Sequence, residues 1–103
     1  MTFVQIVSFQ CRDIEALRGI EQEWLDATEG RRTLRRETVL VDRDDPTRFV
    51  TVNEFDSYES AMANSGLPET DAMATRVTEL VIGEPTYWNL EVVGETDFRQ
   101  GRP

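Results

Sequence analysis

Residues Arg48–Leu80, RFVTVNEFDSYESAMANSGLPETDAMATRVTEL, decide the fold. Phe49, Val50, Val52 and Phe55 give the opening the β-branched and aromatic content of a strand. Asp56 or Ser57 follows as an N-cap, because a short side-chain oxygen can accept from the first free amides of a helix. Glu59 falls in the first turn, where a carboxylate favours the helix dipole. Gly66-Leu67-Pro68 then breaks the helix, since Pro68 lacks a backbone donor and disfavours helix at Leu67. A second helix resumes, with Met73, Val77, Leu80 and Val81 on its apolar face.

Upstream, Thr33–Asp42 reads as a strand with Val39, Leu40 and Val41 at its apolar end. Asp42-Arg43-Asp44-Asp45-Pro46-Thr47 is a turn, so Arg48–Phe55 returns as its antiparallel partner. Ile14, Leu17, Ile20, Trp24 and Ala27 make one helical stripe, with Asp13 as the cap and Gly30 as the stop. Phe3–Cys11 is a strand with apolar residues on both faces: Phe3, Val7, Phe9 and Cys11 on one, Val4 and Ile6 on the other. Downstream, Gly83 and Pro85 end the last helix, and Pro85–Val93 is the last strand. Trp88, Leu90 and Val92 alternate there against Tyr87, Asn89 and Glu91.

The order is β-α-β-β-α-β. It predicts an α+β, ferredoxin-like fold: a four-stranded antiparallel sheet with two helices on one face. One domain over residues 1–94 and a polar tail over residues 95–103 account for the chain. Two helices cover one face of such a sheet, yet the first and third strands are apolar on both. A second sheet from an identical subunit is the simplest cover, so a homodimer is expected.

Composition narrows the chemistry. The 103 residues carry a net charge of −9, which repels nucleic-acid backbones and anionic membranes. The apolar run near the N-terminus is too short to span a bilayer and has no basic flank, so a cytoplasmic location is expected, with no membrane partner. The single Cys11 forms no internal disulfide; without a His partner it reads as structural. There is no histidine at all, which removes the commonest neutral-pH acid/base and the commonest metal and haem ligand. No Gly-rich phosphate loop, nucleophile elbow, Cys pair or calcium loop is present, and no metal or cofactor site is expected.

With that topology, Val52-Asn53-Glu54-Phe55-Asp56-Ser57-Tyr58-Glu59-Ser60-Ala61 resembles the dimeric α/β-barrel superfamily, in particular its antibiotic-biosynthesis-monooxygenase-like branch. In that branch a strand ends in an acidic-aromatic pair, followed by a Ser-containing helix start and an Ala. Asn64 and Leu67-Pro68 fit the polar position and Pro-containing break that come next, and the similarity runs from Phe3 to about Val93. The resemblance implies two subunits closing their sheets face to face into a barrel. It also implies a pocket in each between helices and sheet. Some members oxidise polycyclic phenols without metal or flavin, and others degrade haem. The polar position is often His in the family and is Asn64 here; with no His anywhere, His-ligated haem chemistry is not expected.

The candidate catalytic residues are Asn64, Tyr58 and Arg76, and the candidate pocket residues Trp24, Met62 and Met73. Asn64 can orient a carbonyl or hydroxyl with its amide, or simply end a helix beside Ser65-Gly66. Arg76 can hold a phenolate, or pair at the surface with Glu69 or Glu79. Trp24, Met62 and Met73 can wall an aromatic pocket, or be ordinary core. Only one of Tyr87 and Trp88 can face the helices; Trp88 is expected at the subunit interface. Arg31, Arg32, Arg35 and Arg36 form the only basic cluster, read as a salt-bridged edge rather than an anion site.

Three functions follow as expectations. The first is a cofactor-independent monooxygenase acting on a small hydroxylated aromatic or quinol-like ligand. The second is a non-catalytic binding or structural barrel. The third is an isomerase-like or lyase-like protein with Glu54 or Asp56 as base.

Overall fold

Alternation in β1 (Phe3–Cys11) sends Phe3, Phe9 and Cys11 to one face, where all three are buried. In the computed structural model, which describes residues 2–99, this strand lies at the centre of the sheet. The elements follow as α1 (Ile14–Ala27), β2 (Arg36–Asp42), β3 (Asp45–Phe55), α2 (Tyr58–Ser65), α3 (Pro68–Thr78) and β4 (Val81–Glu91). The strand order is β2-β3-β1-β4 and every pairing is antiparallel. The ferredoxin-like expectation holds, with the second helical region split in two by Leu67-Pro68.

Local chemistry sets most boundaries. Asp13 caps α1 by accepting from the Ala16 amide at 3.0 Å. Ser57 caps α2 in a reciprocal box: its hydroxyl accepts from the Ser60 amide at 3.1 Å, and the Ser60 hydroxyl accepts from the Ser57 amide at 3.2 Å. Leu67 takes an extended conformation (ψ 135°), and Pro68 opens α3 where its missing N–H costs nothing.

Two boundaries differ from the sequence reading. α3 stops at Thr78, so Leu80 and Val81 are not on its face; β4 starts at Val81 and runs through Gly83 and Pro85. Gly83 has φ +71°, and the β1–β4 register shifts between Ser8 and Gln10. The glycine therefore supports an irregularity in an edge strand, where a proline is also tolerated. β3 likewise begins at Asp45 rather than Arg48, and β2 at Arg36 rather than Thr33. The β2–β3 register slips between Val41 and Asp42, and Pro46 falls in that irregular stretch with no partner on β2.

The core on the helical side is two separate clusters. Phe3, Phe55 and Ala61 form one, with Leu34 against it. Phe9, Cys11 and Phe49 form the other, with Leu17, Leu80 and Val81 among its neighbours. Phe9 and Phe49 stack directly across the strands, their ring centroids 5.8 Å apart. The opposite face carries cross-strand rows such as Thr38–Val52–Ile6–Trp88, and no helix covers it. Trp88 is 46% exposed there and Leu40 47%. No described helix is long and apolar enough to cross a membrane. Of the expected tail, residues 95–99 form no helix or strand, and residues 100–103 lie outside the described residues.

Ser57→Ala removes one half of the α2 capping box. It should cost about 1 kcal/mol, read as a lower urea midpoint at unchanged slope. An unchanged midpoint would mean that the box contributes nothing to folding.

Candidate functional site

Between the two phenylalanine clusters the helix-facing side of the sheet turns polar. Glu37, Asn53, Gln5 and Asn89 are successive cross-strand partners and form one row across all four strands. Gln5 donates to Asn89 Oδ1 at 3.3 Å, and Asn53 Nδ2 donates to Thr51 Oγ1 at 3.2 Å. Above this row α1 and α3 bridge the sheet and leave a cavity of about 410 Å³. Phe9, Trp24, Phe55 and Tyr87 supply aromatic wall, and Gln5, Asn53 and Glu37 supply polar floor. Aromatic walls with a few converging polar groups are the usual makings of a small-molecule site.

Asn64 lies on the cavity wall and is 6% exposed. Its Oδ1 accepts from the Thr33 backbone amide at 3.1 Å. The Thr33 hydroxyl in turn donates to the Ser60 carbonyl, pinning this loop to α2. Because the backbone N–H can only donate, the amide is oriented with oxygen toward Thr33. Asn64 Nδ2 then has no hydrogen-bond partner among the described residues and remains a donor at the cavity.

Trp24 and Met73 also line the cavity. Trp24 is held by its Nε1–H, which donates to Thr70 Oγ1 at 2.9 Å, and by the Arg32 guanidinium 6.0 Å from its ring centroid. Tyr87 faces this cavity, which leaves Trp88 on the helix-free face.

The structure does not bring the other three candidates to the cavity. Tyr58 packs edge-on against Phe3 at 5.5 Å and stays half exposed. Met62 is exposed, because α2 turns Ala61 and Asn64 inward instead. Arg76 lies in a shallow groove between α1 and α3 and pairs with Glu23 at 2.6 Å, rather than with Glu69 or Glu79. Glu69 pairs with Arg31, so one ion pair ties α1 to α3 and the other ties the loop after α1 to α3. Glu54 and Asp56 are also off the cavity wall, paired with Arg36 at 3.8 Å and Arg35 at 2.7 Å. Arg31 and Arg32 donate to the Ala27 and Leu25 carbonyls at the end of α1, at 2.9 and 2.8 Å. The basic cluster is thus spent on caps and ion pairs.

Sequence reasoning missed Glu21 and Glu37. Both line the cavity, Glu21 from α1 and Glu37 from β2, and the Glu21 carboxyl acts on that of Glu37. Burial, then the bond to Glu21 and the proximity of its charge, pushes the Glu37 carboxyl up from 4.5 to about 8. A signal was present. Glu37 shares its strand face with Val39 and Val41, and Glu21 stands three residues before Trp24 and four after Leu17.

No protein-family model matches the chain, and no curated protein matches it in sequence. Solved structures do share its fold. A protein named as a candidate antibiotic biosynthesis monooxygenase from Nitrosomonas europaea is 18% identical at a TM-score of 0.76, over 93% of this chain and 94% of its own. A second antibiotic biosynthesis monooxygenase is 16% identical at 0.72, over 91% of this chain and 100% of its own. SnoaB, a cofactor-independent oxygenase from Streptomyces nogalater solved as an asparagine-to-alanine variant, is 12% identical at 0.78, over 91% of this chain and 95% of its own. The fold implied by the Val52–Ala61 resemblance is the fold these proteins share.

The raised Glu37 carboxyl makes stability depend on pH. The folded chain holds this proton more tightly than the unfolded chain, whose value is near 4.5. The stabilisation is therefore complete below about pH 4.5 and is lost as pH rises through about 8. In urea titrations across this window the parent should lose midpoint with rising pH and Glu37→Gln should lose less. Parallel curves for the two would remove the assignment.

Proposed function

We propose that this protein is a cofactor-independent oxygenase acting on a small hydroxylated aromatic, such as a hydroquinone, bound in the cavity between helices and sheet. The observation that carries this reading is the cavity itself: aromatic walls closing on a few fixed polar groups. The similarity of fold to SnoaB, named as a cofactor-independent oxygenase, supports it.

The chemistry balances without an external reductant. A hydroquinone gives up two electrons on becoming a quinone, and conversion of one ring C–H to C–OH gives up two more. Dioxygen accepts all four; one oxygen atom enters the ring and the other leaves as water. The protein's part is to strip water from the ring, hold it, and stabilise charge on its oxygen once the hydroxyl proton departs. Asn64 suits this last role, because its amide is oriented by Thr33 and its Nδ2–H is unspent among the described residues. Trp24 and Met73 serve as wall, while Tyr58, Met62 and Arg76 have no part at this cavity.

We also propose a homodimer formed through the helix-free face. Leu40, Val52, Ile6, Trp88 and Leu90 make an apolar surface across the four paired strands, and half-exposed Trp88 and Leu40 on such a surface favour burial by a second copy. Obligate interfaces of this kind bury upwards of about 2,000 Å². A charge of −9 on each copy opposes association, so salt should tighten the dimer.

Oxygen uptake with a panel of hydroquinones, against an anaerobic control, tests the activity. Asn64→Ala should lower kcat/KM by about 10²-fold, the usual cost of one oriented donor to a developing anion. Oxygen uptake no faster than the uncatalysed rate across the panel would refute the oxygenase; ligand binding without uptake would leave a binding protein in its place. Light scattering after size exclusion tests the assembly. The parent should run as a dimer and Trp88→Glu as a monomer; a parent monomer near 12 kDa would refute the dimer.

A further inference from the structure

The charged and titratable groups on the cavity wall are Glu21 from α1, Glu37 from β2, Asp71 from α3 and Tyr87 from β4. No cation is among the described residues that wall it. Every basic residue of the chain is an arginine; Arg18, beside Leu17 on α1, is exposed and off the wall, and five others are engaged elsewhere. Arg31 and Arg32 cap α1, Arg35 and Arg36 pair with Asp56 and Glu54, and Arg76 pairs with Glu23.

We infer that the Glu21–Glu37 carboxyl pair is the specificity determinant of the cavity: it accepts a hydrogen bond from a ring hydroxyl and rejects ligands that carry a carboxylate of their own. The inference rests on the reading of the cavity as a site for a hydroxylated aromatic. A second feature of the same wall points to a ligand. Asn64 is more than nine-tenths buried, and its Nδ2–H has no partner among the described residues. A hydroxylated ring in this cavity has a donor available from Asn64 and acceptors from Glu21 and Glu37 on the same wall. A volume of about 410 Å³ admits a bicyclic ring system with its substituents.

Rejection follows from electrostatics. A ligand carboxylate entering a low-dielectric cavity needs a cation or several donors in exchange for its water. Among its described residues this wall offers the amides of Gln5, Asn53 and Asn64, and against them the three carboxyls of Glu21, Glu37 and Asp71. While Glu37 retains its proton the repulsion is moderate. Once that proton leaves, at a pH near 8, the like charges face one another directly and rejection deepens. A neutral diol has no such penalty, since its hydroxyl donates to either form of the pair.

Calorimetric titration of the native chain with two probes of similar shape tests this: 1,5-dihydroxynaphthalene, which is neutral, and 5-hydroxy-1-naphthoate, which is anionic. At about pH 6 the diol should bind at least about tenfold more tightly, and the ratio should widen by about pH 8.5. In the Glu21→Gln, Glu37→Gln double variant the ratio should shrink toward unity and lose its pH dependence. Circular dichroism establishes that the variant is folded, and the pH series on the native chain stands without it. Equal affinity for both probes, a ratio that does not move with pH, or an unchanged ratio in the folded double variant would overturn the inference while leaving the oxygenase reading intact. Binding of neither probe would overturn the inference together with the ligand class proposed for the cavity; a diol that binds selectively but consumes no oxygen would uphold the selectivity and refute only the oxygenase.

Discussion

The structure depends on an interruption in its own core. The helix-facing side of the sheet is apolar at both ends, around Phe3–Phe55 and around Phe9–Phe49. Between them runs the row Glu37–Asn53–Gln5–Asn89, which no close-packed core can cover without stranding its polar atoms. The helices therefore close down on the two clusters and span the row between them. A cavity is the geometric consequence. An apolar residue at each of these four positions would let α1 and α3 settle onto the sheet, and the chain would gain core and lose its site.

The span is held by directional contacts rather than by bulk. Trp24 reaches from α1 to Thr70 on α3, and the pairs Arg31–Glu69 and Arg76–Glu23 cross the same gap. Exposed ion pairs contribute little individually. Their value here is register: they set how α1 sits against α3, and so which residues stand over the polar row. They also hold Arg31 and Arg76 away from the cavity, whose described wall is acidic. Site electrostatics and helix packing are in this sense one arrangement.

The two faces of the sheet impose different demands on the same strands. In β1 the inward set Phe3, Gln5, Val7, Phe9 builds core and floor, while the outward set Val4 and Ile6 joins Val52, Trp88 and Leu90 on the uncovered face. A strand with apolar residues on both sides lacks the simple alternation of a half-buried one. The edge strand β4 bears the compromise. It places Tyr87 at the cavity and Trp88 on the open face, and it takes up Gly83 and Pro85 where the ladder is already irregular.

Much of this was legible in the sequence. Topology, the Ser57 cap, the Leu67-Pro68 break and the α1 stripe follow from local periodicity and from side chains bonding to nearby backbone, both of which act over a few residues. Asn64, Trp24 and Met73 could be named for the same reason, since each stands at a marked place in its own helix. The bounds of β4 were not legible. Gly83 and Pro85 end a helix or mark a strand irregularity with equal local logic, and only pairing with β1 chose between them. Nor was the site's charge. Glu21 is one of several acidic residues on α1 and Glu37 an ordinary strand glutamate, until the fold sets both on one partly dry wall, where burial and then Glu21 push the Glu37 carboxyl up. Arg76 shows the converse: its helical position suggested the cavity, and the approach of Glu23 from α1 drew it away. Short-range chemistry wrote the elements of this protein; which side chains meet across the helix–sheet gap was decided by tertiary contacts that no local pattern encodes.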